Sequence, residues 1–419
     1  QSPETSFTSL NHCLEADLLE AAFHRCRKDS APGVDGQTMG DYEKALEANL
    51  KSLLDRAKSG SYFAPPVKRA HIPKDSAGKE TRPIGIPTVE DKILQRAVAM
   101  IMEPIYEQDF LDCSYGFRPA RSAHGALDAL WRQCMGIKVE AVLDLDIRKF
   151  FDTLSKARLR EFLRRRVRDG VITRLIGKWL KAGVMEQGKL SYSEAGVPQG
   201  GSICPLLSNV YLHYVLDVWF SDEVKPRLKK RAFMVRFADD VLMGFESRED
   251  AERVLKVLPK RLGRFDLSVH PDKTRLVEFS MPGRNDAKGA GTFDFLGFTH
   301  FWGKSRKGNW VIKRKTARER LNRALKRASA WCRKNRHLPV SEQLRQLSRK
   351  LKGHFAYYGL TGNARWLYRY REGVKRLWRK WLDRRGGKSS MTWERFEKLL
   401  QRYPLPKVRI VHSIYAAKP

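Results

Sequence analysis

Two stretches of this chain place carboxylates where a folding chain tolerates them least. Ala141-Val-Leu-Asp-Leu-Asp-Ile147 reads as a strand of branched apolar residues interrupted by Asp144 and Asp146. Val235-Arg-Phe-Ala-Asp-Asp-Val-Leu-Met243 reads as two short strands hinged at Asp239 and Asp240. Side chains two apart on a strand point the same way, so Asp144 and Asp146 share a face. Burying several carboxylates on core strands is costly unless something pairs them. Arginine can do so, and a divalent hard cation such as Mg²⁺ does so with oxygen ligands alone. No softer metal site competes: the ten histidines form no H-E-x-x-H or H-x₃-H pattern, and Cys13, Cys26, Cys113, Cys134, Cys204 and Cys332 form no C-x-x-C pair. These thiols are expected to be free, as in a reducing compartment.

A chain of 419 residues has room for roughly two to four domains. With 42% hydrophobic and 10% aromatic residues it can build sizeable cores and is not expected to be disordered. Its 81 Lys+Arg against 47 Asp+Glu leave a net charge of +34, which calls for a polyanionic partner, nucleic acid before an anionic membrane. No apolar run approaches the ~18 residues of a membrane span, and Gln1 to Leu10 lack a signal-peptide pattern. Secreted and membrane classes therefore recede. The excess charge is not uniform: residues 301–419 hold 34 basic and 6 acidic side chains, whereas residues 1–300 hold 47 and 41. Six acids are too few for an ordinary solvated face of mixed sign, so the last 119 residues are expected to grip nucleic acid.

That basic region carries helical patterns. Leu321, Leu325, Ala328 and Trp331 recur on one face, as do Leu344, Leu347, Leu351 and Phe355 after Pro339, and Trp366, Leu367, Tyr370, Val374, Leu377, Trp378 and Trp381. Three amphipathic helices with arginine-rich backs should pack as a small bundle, with the tryptophans mainly in its core. A last unit, Thr392 to Tyr415, starts at a plausible cap and is broken by Pro404 and Pro406. The body mixes the two strand candidates with helical segments such as Leu159 to Arg168 and Ala251 to Leu262, a mixed α/β pattern. Gly283 to Gly291 and Ser305 to Gly308 are linker candidates.

Two Mg²⁺ ions roughly 3.5–4 Å apart are the usual apparatus for in-line phosphoryl transfer between polynucleotide oxygens. A polymerase must also hold a duplex through its backbone without reading sequence, which suits the charge. Further motifs then follow in order along the chain: Ile72-Pro-Lys-Asp with Arg82-Pro-Ile-Gly-Ile-Pro-Thr88; Ser114-Tyr-Gly-Phe-Arg-Pro119 with Arg121-Ser-Ala-His124; Leu143-Asp-Leu-Asp-Ile-Arg-Lys-Phe-Phe-Asp152; Gly196-Val-Pro-Gln-Gly-Gly-Ser202 with Pro205-Leu-Leu-Ser-Asn209; Phe237-Ala-Asp-Asp240; Leu267-Ser-Val-His-Pro-Asp-Lys-Thr274; and Phe293-Asp-Phe-Leu-Gly-Phe298. This series resembles the reverse transcriptases encoded by bacterial group II introns, across nearly the whole chain.

The resemblance implies an α+β right-hand polymerase: N-terminal extension and fingers over residues 1–140, an antiparallel-sheet palm over 141–300, an all-α thumb (maturase) bundle over 301–388, and a short DNA-binding segment over 389–419. It makes Asp146, Asp239 and Asp240 the catalytic carboxylates, holding two Mg²⁺ ions with the backbone carbonyl of Ile147. Asp146 is preferred over Asp144 because the family's aromatic gate lies five residues beyond that Asp, here at Phe151, whose ring would crowd a ribose 2′-hydroxyl. Asp144 is then a supporting group or an additional ligand. Lys74 and Arg82 would clamp the triphosphate. Gln199 and Gly200 would approach the templating pair, Lys273 would protonate pyrophosphate or contact phosphate, and Gly297 would let the primer strand lie close. Phe237 stands where the family usually has Tyr, which removes a hydroxyl near the primer terminus and leaves the ligands intact. Gly353-His-Phe-Ala-Tyr-Tyr-Gly359 resembles a helix of the maturase domain, and no Cys/His pattern of the family's HNH endonuclease follows.

The implied partners are structured intron RNA, an RNA template with a DNA primer, target DNA and dNTPs, in a bacterial cytoplasm near the nucleoid. The implied activity is RNA-directed DNA synthesis together with assistance to splicing and retrohoming. Two alternatives share these residues: a free-standing enzyme of this type serving DNA repair or phage defence, and an RNA-binding splicing cofactor without polymerase activity.

Overall fold

The computed structural model describes residues 5–73, 81–192, 196, 200–283, 291–385 and 390–413. Eleven strands lie among them: β1 (Val67–Pro73), β2 (Thr81–Ile86), β3 (Ala141–Leu145), β4 (Val184–Glu186), β5 (Lys189–Ser191), β6 (Ala232–Phe237), β7 (Asp240–Phe245), β8 (Arg275–Glu278), β9 (Phe293–Phe295), β10 (Phe298–Lys304) and β11 (Trp310–Thr316). They form sheets in the orders β2-β1-β4-β5, β6-β7-β3-β8 and β11-β10-β9. Pairing is antiparallel in β1–β2, β4–β5, β6–β7, β3–β7, β9–β10 and β10–β11, and parallel in β1–β4. With helices making up much of the rest, this is the mixed architecture that the sequence pattern suggests, with the mainly antiparallel sheets that the resemblance implies. No helix among the described residues is long and apolar enough to cross a membrane.

Two compact units divide the chain. One takes most of the sequence up to Leu276, and the other takes Leu130–Val139 and the chain from Val277 onward. In the first, β7 and β3 are the central strands with β6 at the edge beside β7, and nearly every position of the three is apolar and buried, Asp144 being the one partly exposed residue of β3. A strand buried on both faces reads as a continuous apolar run, which is the composition found here. Around this sheet the helices Val89–Glu107, Gly170–Lys181, Cys204–Leu212 and Arg248–Gly263 contribute to one hydrophobic core.

In the second unit, β10 and β11 run as a hairpin from Phe298 to Thr316, so helix begins only at Arg318. Ser305 to Gly308 is the turn of that hairpin and not a linker: the Gly308 N–H donates to the Ser305 carbonyl at 3.1 Å, and the Ser305 N–H to the Asn309 carbonyl at 2.7 Å. Gly283 to Gly291 falls mostly outside the described residues. The three apolar stripes become the helices Arg318–Asn335, Val340–Tyr358 and Ala364–Asp383, packed on a shared core that includes Leu321, Leu347, Leu351, Val374 and Trp378. Trp378 is buried, while Trp366 and Trp381 lie partly buried at the core's edge. Thr392 caps the helix Trp393–Arg402 by accepting from the Arg395 N–H. The six cysteines are free thiols.

Candidate active site

The site forms where β6 turns into β7. Phe237 pairs with Asp240, leaving Ala238 and Asp239 as a two-residue turn. Such turns need left-handed backbone, and Ala238 supplies it at φ 57°. Beside this hairpin β3 pairs with β7 as far as Leu145–Val241. Asp146 is the next residue, so it leaves the sheet at the end where Asp240 enters. Its main chain is pinned: the N–H donates to Thr274 Oγ1 at 3.2 Å, and the carbonyl accepts from the Thr274 hydroxyl at 3.3 Å and from the His270 N–H at 2.8 Å. Ile147 follows, buried and bridged to Val269.

The carboxylates differ in their surroundings. Asp144 is held by the Arg275 guanidinium, with Nη2 at 3.2 Å from Oδ2, so at this position the arginine alternative is realised. The half-buried Asp146 carboxylate lies 3.8 Å from Lys273 Nζ. Asp239 is half-buried and Asp240 exposed. Burial raises the Asp239 carboxyl above the ordinary carboxylate range and the Asp146 charge adds to that, against the lowering influence of Arg82 and Arg236. Asp239, Asp146 and Arg82 therefore share one field.

Among the described residues, no group of three or more His, Cys, Asp or Glu is close enough to hold a metal ion, so Asp146, Asp239 and Asp240 are not drawn into a closed cage. Neighbouring carboxylates of like charge repel one another. The donors nonetheless fit a hard divalent cation: all are oxygens, and burial leaves the Asp239 charge poorly solvated. Lys273 already supplies one cationic contact to Asp146.

Other expected residues are placed with varied outcomes. Arg82 stands exposed on β2 opposite Ile72. Phe151 lies on the single-turn helix Phe150–Thr153, half-buried with its ring 5.2 Å from that of Phe150. Lys74 and Gln199 lie outside the described residues. Gly200 has φ 129°, and a Cβ there would sit 2.2 Å from the Gly85 carbonyl. Gly297, in the second unit, has φ 82°, with the Tyr358 hydroxyl 3.0 Å from its missing Cβ. The close approaches these two glycines permit are thus to their own chain.

Three residues escaped the sequence reading. Arg236 is fully buried on β6 and paired with the equally buried Asp217. Phe117, strongly exposed and at φ 57°, brings its ring to 6.2 Å from that of Phe237. For Arg236 the signal was present, a charge inside an apolar strand, the same signal that marked the aspartates. For Asp217 and Phe117 nothing local distinguishes the residue.

In the second unit an open groove of about 500 Å³ is lined by Lys326, Ser329, Ala330, Arg333, Lys334, Arg336 and Trp381. The Arg333 guanidinium lies over the Trp381 ring at 5.9 Å and Arg384 at 5.4 Å. Cations held over an indole beside a groove with no carboxylate among its described lining residues make a surface suited to a phosphate backbone.

Residues 72–300 match the family described as reverse transcriptase (RNA-dependent DNA polymerase). The chain is 35% identical to Protein YkfC of Escherichia coli (strain K12) over 317 residues, 67% of this chain and 78% of that protein. It is 32% identical to the group II intron-encoded protein LtrA of Lactococcus lactis subsp. cremoris over 266 residues, 61% of this chain and 44% of LtrA. It is 26% identical to the putative COX1/OXI3 intron 2 protein of Saccharomyces cerevisiae over 375 residues, 75% of this chain and 40% of that protein. The chain therefore spans less than half the length of the latter two.

Proposed function

Because the chain belongs to the group II intron reverse transcriptase and maturase family, we propose that it extends a DNA primer on an RNA template and binds structured intron RNA, aiding splicing and retrohoming. The observation that carries the polymerase reading is that Asp146, Asp239 and Asp240 stand together at one end of an antiparallel sheet, inside the matched segment. Residues 1–140 are proposed as extension and fingers, 141–300 as palm, 301–388 as thumb and 389–419 as a DNA-binding segment.

Asp146, Asp239 and Asp240, with the Ile147 carbonyl, would hold two Mg²⁺ ions. When bound, such ions activate the primer 3′-hydroxyl and neutralise charge developing on the phosphates. The chain's own residues do the rest. Arg82, with Lys74, holds the incoming triphosphate by charge-assisted contacts. Phe151 presents its ring to the sugar and disfavours a 2′-hydroxyl by contact. Lys273 exchanges its contact with Asp146 for one with a phosphate oxygen. Phe237 lacks a hydroxyl but contributes no ligand, so its presence is compatible with synthesis. The basic surface of the second unit supplies sequence-independent grip on the polyanion.

Primer extension with Mg²⁺ and dNTPs on an RNA template tests this. Asp239→Ala should reduce incorporation by about 1,000-fold or more while RNA binding stays within about twofold. A wild-type chain that incorporates no dNTP overturns the polymerase reading. Sequencing the RNA that co-purifies with the protein tests the maturase reading, which stands if a structured RNA carrying this coding sequence is enriched.

A further inference from the structure

Arg236 carries a permanent positive charge with no exposure to solvent. An isolated buried guanidinium costs several kcal/mol, and here every one of its N–H groups is answered. Nε donates to Asp217 Oδ1 at 2.7 Å, and Nη2 donates to Asp217 Oδ2 and to Ser114 Oγ at 2.8 Å. Nη1 donates to Asn209 Oδ1 and to the Ala238 carbonyl, each at 3.0 Å. That uses all five donors of the group. Asn209 passes the connection on, donating from Nδ2 to the Gly116 carbonyl at 2.7 Å. The main chain of Arg236 is fixed as well, its N–H to the Cys113 carbonyl at 2.7 Å and its carbonyl to the Tyr115 N–H at 2.8 Å.

Three separate segments therefore meet on one side chain: Cys113–Gly116, the continuous helical stretch of Cys204–Leu212 and the π turn His213–Asp217, and the β6–β7 turn. A π turn lodges one more residue than an α turn and leaves main-chain groups needing other partners. Here the Arg261 guanidinium takes up the Tyr214 and Val215 carbonyls at 3.0 Å each, so the stretch that delivers Asp217 is itself held. The carbonyl that Arg236 grips belongs to Ala238, whose φ of 57° is unfavourable for a residue with a Cβ and persists only where surroundings impose it. The next residue is Asp239.

We propose that Arg236, braced by Asp217, Ser114 and Asn209, is the positioning residue of the active site: by holding the Ala238 carbonyl it keeps the left-handed turn that sets Asp239 beside Asp146. Arg236 touches no substrate, since it is enclosed beneath the turn. The inference rests on the polymerase reading for its rate effect, and on geometry alone for its effect on the turn. A purely structural pair would behave differently, because a buried ion pair exchanged for apolar residues of similar volume often keeps or raises stability.

The decisive variant replaces both partners together, Arg236→Met with Asp217→Leu, and is compared with wild type in primer extension, RNA binding, thermal melting and amide exchange. Displacing a reacting group by about 1 Å costs on the order of 100-fold in rate. We expect kcat to fall by that order with KM for dNTP changed less than about threefold, RNA binding and cooperative melting retained, and amide exchange accelerated at residues 237–241. A folded double variant with kcat within about threefold of wild type and unchanged exchange there overturns the proposal. If the double variant does not fold, Ser114→Ala decides: one hydrogen bond to a charged donor is lost, so kcat should fall about five- to tenfold at unchanged KM. A kcat within twofold and unaltered exchange overturn it. If wild type extends no primer, the polymerase reading fails by itself, and exchange at residues 237–241 still decides the positioning role.

Discussion

At Asp144 and Asp146 two identical side chains, two positions apart, meet different neighbours: Arg275 neutralises the first, and Lys273 approaches the second at 3.8 Å. The same contrast of paired and unpaired polar groups appears at His300. It is fully buried between strands and stacked on Phe293 at 4.9 Å, and neither ring nitrogen has a hydrogen-bond partner among the described residues. Burial, with the neighbouring Arg314 charge, holds this imidazole neutral and depresses its pKa to about 3. A depressed pKa contributes stability that is complete above the unfolded value near 6.5 and is lost as pH falls toward the folded one. Denaturant melts from pH 7 to 5 should therefore show His300→Leu losing about 2 kcal/mol less than wild type over that interval. Equal losses would remove His300 as a source of acid sensitivity. The sequence pattern marked Asp144 and Asp146 as charges on an apolar strand, but which one finds an arginine depends on Arg275, 131 residues away.

The three helices of the basic region were visible in the sequence, because apolar stripes at helical spacing depend only on near neighbours, whereas Val89–Glu107 and Gly170–Lys181 were not anticipated. Val340–Tyr358 and Ala364–Asp383 enclose the stripes that mark them. What ties them was not visible. Gln343, at the start of its helix and almost fully buried, donates from Nε2 to the carbonyls of Arg336 at 3.1 Å and Leu338 at 2.8 Å, and its Oε1 accepts from Trp378 Nε1 at 2.9 Å. One amide thus closes the end of one helix and fixes the register of another. Gln343→Leu would take from the Trp378 indole N–H and the Arg336 carbonyl the partner they have here, while the Leu338 carbonyl keeps Arg385 Nη2 at 3.0 Å. It should destabilise the chain by about 2–3 kcal/mol, read by denaturant unfolding of the folded protein. A loss below about 0.5 kcal/mol would show that the bundle's packing alone sets the register. The β10–β11 hairpin was among the elements the sequence hid: its Gly- and Lys-containing turn has the composition of a linker, and its strands are only half-buried.

Over the whole chain, charge is separated in sequence, with 34 basic against 6 acidic residues after position 300. The groove around Lys326, Arg333, Lys334 and Trp381 gives part of that excess a defined place. Replacing Lys326, Arg333 and Lys334 together by Gln should weaken RNA binding and make the plot of log affinity against log salt shallower by about 1–2 units, since each phosphate contact contributes roughly 0.7–0.9 to the slope. An unchanged slope would mean that the groove does not engage phosphate. By itself the sequence determined the class of partner, the order of motifs, the strand-borne aspartates and the helical stripes, all properties of composition and near neighbours. Only the tertiary structure decided that Asp144 is paired, that Gly200 makes room for Gly85, and that one buried guanidinium gathers Asp217 from 19 residues away and Ser114 from 122. Such contacts form when elements pack, and no local pattern encodes which distant partner satisfies a buried charge.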